Sequence, residues 1–144
     1  MPRVRRLVVS ALGLSVAAFI VTTWVALEAS GVGVVTTARA DGEPRQTHVW
    51  PVEIEGALWL EAGTPDNGWY RDVQQHPRLT LERDGATATY VAVPVPTPEA
   101  HADLRAAIEA AYGWRARWVR IWVDPEGSVP VRLEKPAGAD VFGR

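Results

Sequence analysis

Asp84-Gly85 sits between two stretches, Arg78 to Arg83 and Ala86 to Val93, that read as strands. Asp-Gly supplies the positive φ angles of a two-residue hairpin turn. The two strands it joins must therefore run antiparallel. The same device recurs upstream. Thr47 to Ile54 reads as one strand, Glu55-Gly56 as its turn, and Ala57 to Ala62 as the returning strand. Val34, Val35, Thr36 and Thr37 are β-branched and predict an earlier strand. Asp41-Gly42 is a turn signal, and Pro44 cannot sit in a central strand. Trp118 to Asp124 and Val129 to Glu134 read as the last two strands. Short strands joined by hairpins in this number predict a mainly β chain, folded as a small antiparallel barrel, closed or partly closed.

Helices are few. Gly63 to Gly68 is a loop rich in turn formers, and Trp69 to Gln75 then makes about two helical turns, stopped by Pro77. Thr97 caps a longer helix, Pro98 to Ala111, with Pro98 at the first helical position and Glu99 in the first turn. Leu104, Ala107, Ile108 and Ala111 lie on one face of it.

The N-terminus reads differently. Arg3, Arg5 and Arg6 precede Leu7 to Leu27, a run without charge. As a helix these residues span roughly 32 Å, which matches a bilayer core of about 30 Å. Trp24 lies near the far end, where an indole suits the headgroup region. A cleaved signal peptide has a shorter apolar core, and the small-x-small site Ala38-Arg39-Ala40 lies far beyond the run. A retained transmembrane anchor is the expectation, with the signal peptide and a buried soluble helix as alternatives. The positive-inside rule keeps the basic end cytoplasmic, with a single pass. The expected organisation is a basic end over 1–6, an anchor over 7–28, a barrel domain over 32–135 and a flexible tail over 136–144.

With 144 residues the chain has room for one domain. Setting aside three arginines and Glu28, residues 29–144 hold 12 basic and 16 acidic side chains, a net charge of −4. A nucleic-acid protein would show a basic stripe instead. The chain has no cysteine, which excludes disulfides, iron–sulfur clusters and Cys-type zinc. No metal site is expected.

Three histidines, His48, His76 and His101, are the only ones, and neither a Gly-x-Ser-x-Gly elbow nor a His-Glu-x-x-His helix is present. No catalytic residue can be assigned. His101 reads as solvated and His76 as a turn residue before Pro77. His48 faces either core or ligand. Of the seven tryptophans, Trp24 belongs to the anchor and the rest to the domain. Trp118 and Trp122 would share a strand face. Most of these rings read as core or rim packing. Trp50 and Trp69 are the two that suit stacking on a flat aromatic ligand. Arg45, at the entry of a strand, and Arg71, just past the Gly-rich loop, are the basic residues best placed for a phosphate. Thr64 can add a hydroxyl, and a helix N-terminus attracts anions. Both arginines read equally well as surface residues. Glu53 and Glu55 share one strand face and read as solvated.

This order of parts resembles the split-barrel flavin- and deazaflavin-binding superfamily of pyridoxamine-phosphate oxidase type. It looks closest to the deazaflavin-dependent nitroreductase branch. The resemblance covers about Val35 to Leu133. Its most specific piece is Trp69-Tyr70-Arg71-Asp72-Val73 followed by Pro77, which keeps the branch's spacing from Trp to Pro. Ala38 to Arg45 looks like its Gly-Arg-x-Ser-Gly-x-x-Arg turn, and Val129 to Leu133 looks like its closing strand. Ala38 stands where the branch has Gly, Asp41 where it has Ser, and Asp72 where it has Asn. His48-Val49-Trp50-Pro51 replaces its Pro-Leu.

The resemblance implies a small split barrel with one or two short helices, binding FMN or a deazaflavin coenzyme. The cofactor phosphate would meet Arg45, Gly63, Thr64 and Arg71. The ring would lie along Thr47, His48 and Trp50 and under Trp69. The activity implied is that of a nitroreductase-type oxidoreductase. The alternative is a non-enzymatic, membrane-anchored ligand- or protein-binding domain of the same fold. The partners implied are the membrane, the cofactor and a second copy as homodimer, with no nucleic acid.

Overall fold

The computed structural model describes residues 2–28, 31–120 and 127–137, with side chains over 8–24, 31–118 and 127–137. The chain divides into two compact units, Met1–Ser30 and Gly31–Arg144. The first is helix α1, Pro2–Glu28. Its large apolar side chains, among them Val8, Leu12, Leu14, Phe19, Ile20 and Trp24, are exposed. Among the described residues, which in this helix carry side chains only over 8–24, no helix is long and apolar enough to cross a membrane.

The second unit is built on one antiparallel sheet. Its strands are β1 (Gly33–Ala38), β2 (Pro44–Val49), β3 (Val52–Ile54), β4 (Ala57–Ala62), β5 (Arg78–Arg83), β6 (Ala86–Pro94) and β7 (Val129–Glu134). They lie in the order β2-β1-β5-β6-β7-β4-β3. The sheet is therefore an open half-barrel whose edges are β2 and β3, not a closed barrel. Pro44 begins an edge strand, where its missing N–H costs no ladder bond.

Both expected hairpin turns form. Glu55 and Gly56 take φ of 52° and 78°, and Asp84 and Gly85 take 52° and 77°. Alternation sends Val35, Leu60, Ala62, Leu79, Leu81, Ala92, Val131 and Leu133 into one core. Helix α2, Gly68–Gln75, closes that core by packing on β1 and β2. It contributes Trp69, Tyr70 and Val73.

Helix α3, Pro98–Tyr112, packs on β3, β4 and β7. The Thr97 hydroxyl accepts from the Ala100 N–H at 3.2 Å, the expected cap. A second core lies here, made of Val52, Leu104, Ile108, Tyr112 and Ala116, with Trp50, Ile54, Trp59 and Ala107 against it. The buried stripe of α3 ends on Tyr112, whereas Ala111 is exposed.

Three expectations need correction. Thr47 to Ile54 is not one strand. The ladder breaks at Trp50-Pro51, because proline has no N–H for it. Trp118 does not lie on a strand. It belongs to α4, Trp114–Arg120, while Trp122 and the rest of that expected strand lie outside the described residues. The reason is periodicity. Leu104, Ile108, Tyr112 and Ala116 recur every four residues and all enter one core, so the helical period continues through the break at Gly113. Finally, the described residues of the domain form three helices after α1, where one or two were expected. Most of the expected tail, 138–144, lies outside the described residues.

The β5–β6 turn yields a direct expectation. Gly85 sits at φ 77° with open space around a Cβ, so the cost of a side chain there is backbone strain alone. Gly85→Val should lower stability by about 1 kcal/mol or more, read as the midpoint of urea unfolding.

Candidate functional site

The site assembles where the C-terminal half of β1 and the entry of β2 meet the start of α2. Thr37 and Arg45 are paired neighbours across the β1–β2 ladder. Along β2, Arg45, Thr47 and Val49 share the inner face, while Pro44, Gln46 and His48 share the exposed one. On α2, Trp69 is 1 % exposed and so fixes the rotation of the helix. Asp72 lies three residues on, on the same face, and is carried inward with it.

A carboxylate so placed needs donors. The Thr37 hydroxyl donates to Asp72 Oδ2 at 2.7 Å. Arg45 Nε donates to the same oxygen, also at 2.7 Å. The side chains of Arg45 and Asp72 are 32 % and 8 % exposed, so the pair is half inside the fold. Burial alone would raise the pKa of Asp72. The hydrogen bonds from Thr37 and Arg45, with the positive charges of Arg45 and Arg39, outweigh it and hold the carboxyl below its usual range. The guanidinium also lies flush against the first turn of α2. A Cβ on Gly68 would come within 2.7 Å of Arg45 Nη1, so a side chain there would push the guanidinium aside. Asn67, the N-cap of α2, makes no side-chain capping bond.

The residues expected at the site separate into three groups. Arg45 and Thr47 line the inner face of β2. Gly63 and Thr64 occupy the loop into α2, where the Thr64 carbonyl accepts from the Asn67 N–H at 3.1 Å, and Arg71 is exposed on α2 itself. His48, Trp50 and Trp69 go elsewhere. His48 faces outward from the edge strand. Trp50 stacks on Tyr112, with ring centroids 4.9 Å apart and planes 19° apart, and so belongs to the second core. Trp69 is a core side chain set edge-on to Tyr70 at 6.1 Å, and its buried ring offers no face for stacking a ligand. Trp69 is thus a packing residue, and Trp50, half-buried, sets one face against Tyr112.

Thr37, Gly68 and Asp72 complete the cluster without having been expected as partners of Arg45. One signal pointed to Asp72. An acid that replaces an amide beside a buried tryptophan must find a cation. Among the described residues no group of His, Asp and Glu is arranged to hold a metal ion.

Comparisons with known proteins bear on this arrangement. The family model described as F420H(2)-dependent quinone reductase matches residues 17–135. A conserved hypothetical protein of Mycobacterium tuberculosis superposes with a TM-score of 0.58 at 22 % identity, over 75 % of this chain and 74 % of its own. An F420-H2 dependent reductase does so at 0.53 and 20 % identity, over 72 % and 94 %. The heme storage protein HutZ of Vibrio cholerae gives 0.59 at 14 % identity, over 78 % and 87 %. Curated proteins give no match. The structural likenesses establish the split-barrel fold, and the family match makes the chain a member of the F420H2-dependent quinone reductase family.

The ion pair makes a stability expectation. Arg45→Ala leaves a mostly buried carboxylate without its cation and should cost about 1–3 kcal/mol in urea unfolding, reduced from the fully buried case by the exposure of Arg45. Because the folded pKa of Asp72 is lowered, its contribution is present above the unfolded carboxyl value, about 3.9, and is lost as the pH falls through the folded value. The midpoint measured between about pH 5 and pH 2 should fall less steeply in Asp72→Asn than in the native protein.

Proposed function

We propose that the chain is a membrane-anchored oxidoreductase that binds a deazaflavin coenzyme at the mouth formed by β2, the loop of Gly63 and Thr64, and the start of α2. The family match over residues 17–135 carries this reading, since it spans the whole sheet and α2. The donors at the mouth suit an anionic tail. Arg45 and Arg71 are cationic, and the first turn of α2 has no capping side chain. The reduced coenzyme supplies the hydride. The residues of this chain hold its tail at Arg45, Gly63, Thr64 and Arg71 and set the ring along Thr47. A second copy is proposed as partner, in keeping with a structural neighbour described as a domain-swapped dimer.

The anchor rests on the sequence of Leu7 to Leu27, whose two ends lie beyond the described side chains. Helix α1 has 27 residues and would span about 40 Å. Its apolar side chains are exposed at steps that go around the whole helix, as a lipid-facing segment requires. The chain should therefore stay with membranes through carbonate extraction. Phe19→Arg should weaken insertion by about 2.5–3.5 kcal/mol. Recovery of a soluble protein beginning near Asp41 would point to a cleaved leader instead.

The binding reading is tested by titrating the full chain in detergent micelles with a deazaflavin coenzyme and with FMN, following absorbance and ring fluorescence. Saturable binding of the deazaflavin is expected, and Arg71→Ala should weaken it by about 1.5–3 kcal/mol, the range for a hydrogen bond to a charged group. A domain that takes up neither cofactor would instead be a non-enzymatic binding module. One observation favours that second reading, namely that Asp72 already neutralises Arg45.

A further inference from the structure

Helix α4 follows the break at Gly113 with a composition unlike the rest of the domain. From Tyr112 to Val123 the sequence carries three arginines and three tryptophans and no acid, in a domain whose net charge is −4. Ala116 fixes the rotation of the helix, since it is 3 % exposed in the second core. Trp114, Arg117 and Trp118, at steps of three and four, therefore share the opposite face. Trp114 is 49 % exposed, and outside α1 it is the one large apolar side chain left exposed among the described residues. Trp118 is half-buried. Arg117 is exposed, and its pair with Glu109 is a loose one of 4.0 Å between two exposed side chains, which a competing anion displaces at little cost. Arg115 serves the core instead, lying over the Tyr112 ring at 5.2 Å.

An exposed indole on one helix face with a guanidinium suits the headgroup zone of a bilayer, where the ring sits at the interface and the cation meets lipid phosphate. The place of this face along the chain agrees. Gly31 comes three residues after Glu28, and three residues reach at most about 11 Å. The Tyr112 hydroxyl donates to the Gly31 carbonyl at 2.8 Å, and Trp114 follows two residues after Tyr112. The corner of the domain that carries α4 is therefore the corner at which the chain arrives from the expected anchor.

We propose that α4 is a docking surface for anionic lipid, which lays this corner of the domain on the membrane that the anchor enters. Trp114 inserts at headgroup level and Arg117 meets lipid phosphate. This deepens the membrane-anchored reading and rests on it for the nearness of the bilayer, though not for the choice of anionic lipid. The helix is short, so it adds a second contact to the anchor rather than replacing it. A domain pinned at two points keeps one orientation on the bilayer instead of tumbling on its tether.

The chain has no cysteine, so a single one can carry a fluorescent label. Ala111→Cys places the label at an exposed position three residues before Trp114. Glu43→Cys is the control, exposed in the turn beyond the far end of β1, about 20 Å from Gly33. The labelled full chain is reconstituted in vesicles of phosphatidylcholine alone, or of phosphatidylcholine mixed with phosphatidylglycerol, and the label is quenched by spin-labelled lipid. Quenching at position 111 should be about fivefold or more stronger in the anionic vesicles, the effect of one arginine at such a surface, and should fall in high salt. Position 43 should be quenched little in either. Arg117→Gln should remove most of the preference for anionic vesicles, whereas Trp114→Ala should weaken quenching in both kinds alike. Both side chains are exposed, so the two variants should keep the native midpoint of urea unfolding. Equal quenching at position 111 in the two kinds of vesicle would overturn the proposal. So would equal quenching at positions 43 and 111, or indifference to both substitutions. A signal that rises with protein density and not with anionic lipid would give this face to a second copy, and overturns it too. If carbonate releases the chain from membranes, the anchor reading has failed. The released, labelled chain is then titrated with excess vesicles of both kinds at low salt. Quenching by anionic vesicles that depends on Arg117 supports the role of α4, and its absence rules that role out.

Discussion

The burial of Trp69 is the constraint from which the rest of the domain follows. A half-barrel leaves its concave side open at the β1–β2 end, and something must cover it. Trp69 does so with a ring that is 1 % exposed, and in doing so it sets both the place and the rotation of α2. That rotation leaves the helix no choice about Asp72, which shares its face. An inward carboxylate is costly unless it is met by donors. Thr37 and Arg45, facing each other across one rung of the ladder, are the donors that meet it. Packing thus dictates electrostatics here. The charge at the mouth is a consequence of how a tryptophan is stored.

The far side of the sheet solves the same problem differently. Helix α3 covers β3, β4 and β7 with aliphatic side chains, and Tyr112 ends the stripe. Its hydroxyl lies 2.8 Å from the Gly31 carbonyl and 2.9 Å from that of Pro51. Burial raises the pKa of this phenol, with the charges of Arg83 and Arg115 opposing and that of Asp84 adding to the effect, so the hydroxyl keeps its proton. The two carbonyls share its one proton in a three-centre hydrogen bond. Trp50 stacks on the same ring, and Arg115 lies over it at 5.2 Å from the centroid. The break after β2, the start of β1 and the end of α3 are thereby held to one side chain. The tryptophan that had looked like a ligand platform is part of this knot.

The features that could be read from the sequence are those decided within a few residues. Asp84-Gly85 and Glu55-Gly56 had to turn, whatever surrounded them, since both pairs take positive φ. Thr97 had to cap, because Pro98 and Glu99 follow it. Pro77 had to stop α2. Pairings across long separations were not legible. Arg45 and Asp72 stand 27 residues apart, and their contact depends on how α2 is rolled against β1. An exposed arginine awaiting a phosphate and an arginine already paired look the same in a sequence. The expected strand Trp118 to Asp124 failed at its start for another reason, since Trp118 lies on α4. Its β-branched and aromatic residues suit a strand, and only the core of α3, with Ala116 in it, shows that the helical period continues. The resemblance gave the architecture correctly and carried over roles, such as stacking by Trp69, that these packed side chains do not offer.

The open sheet leaves two edges, and both are blunt. One is β2, which opens on a proline, and the other is β3, three residues long. Pro51 separates them and interrupts the main-chain donors along the only stretch where the two edges adjoin in sequence. A strand from another molecule therefore finds no long row of unpaired amides to extend. Such shielding matters most for a protein held at high local density, where unprotected edges turn neighbours into fibrils.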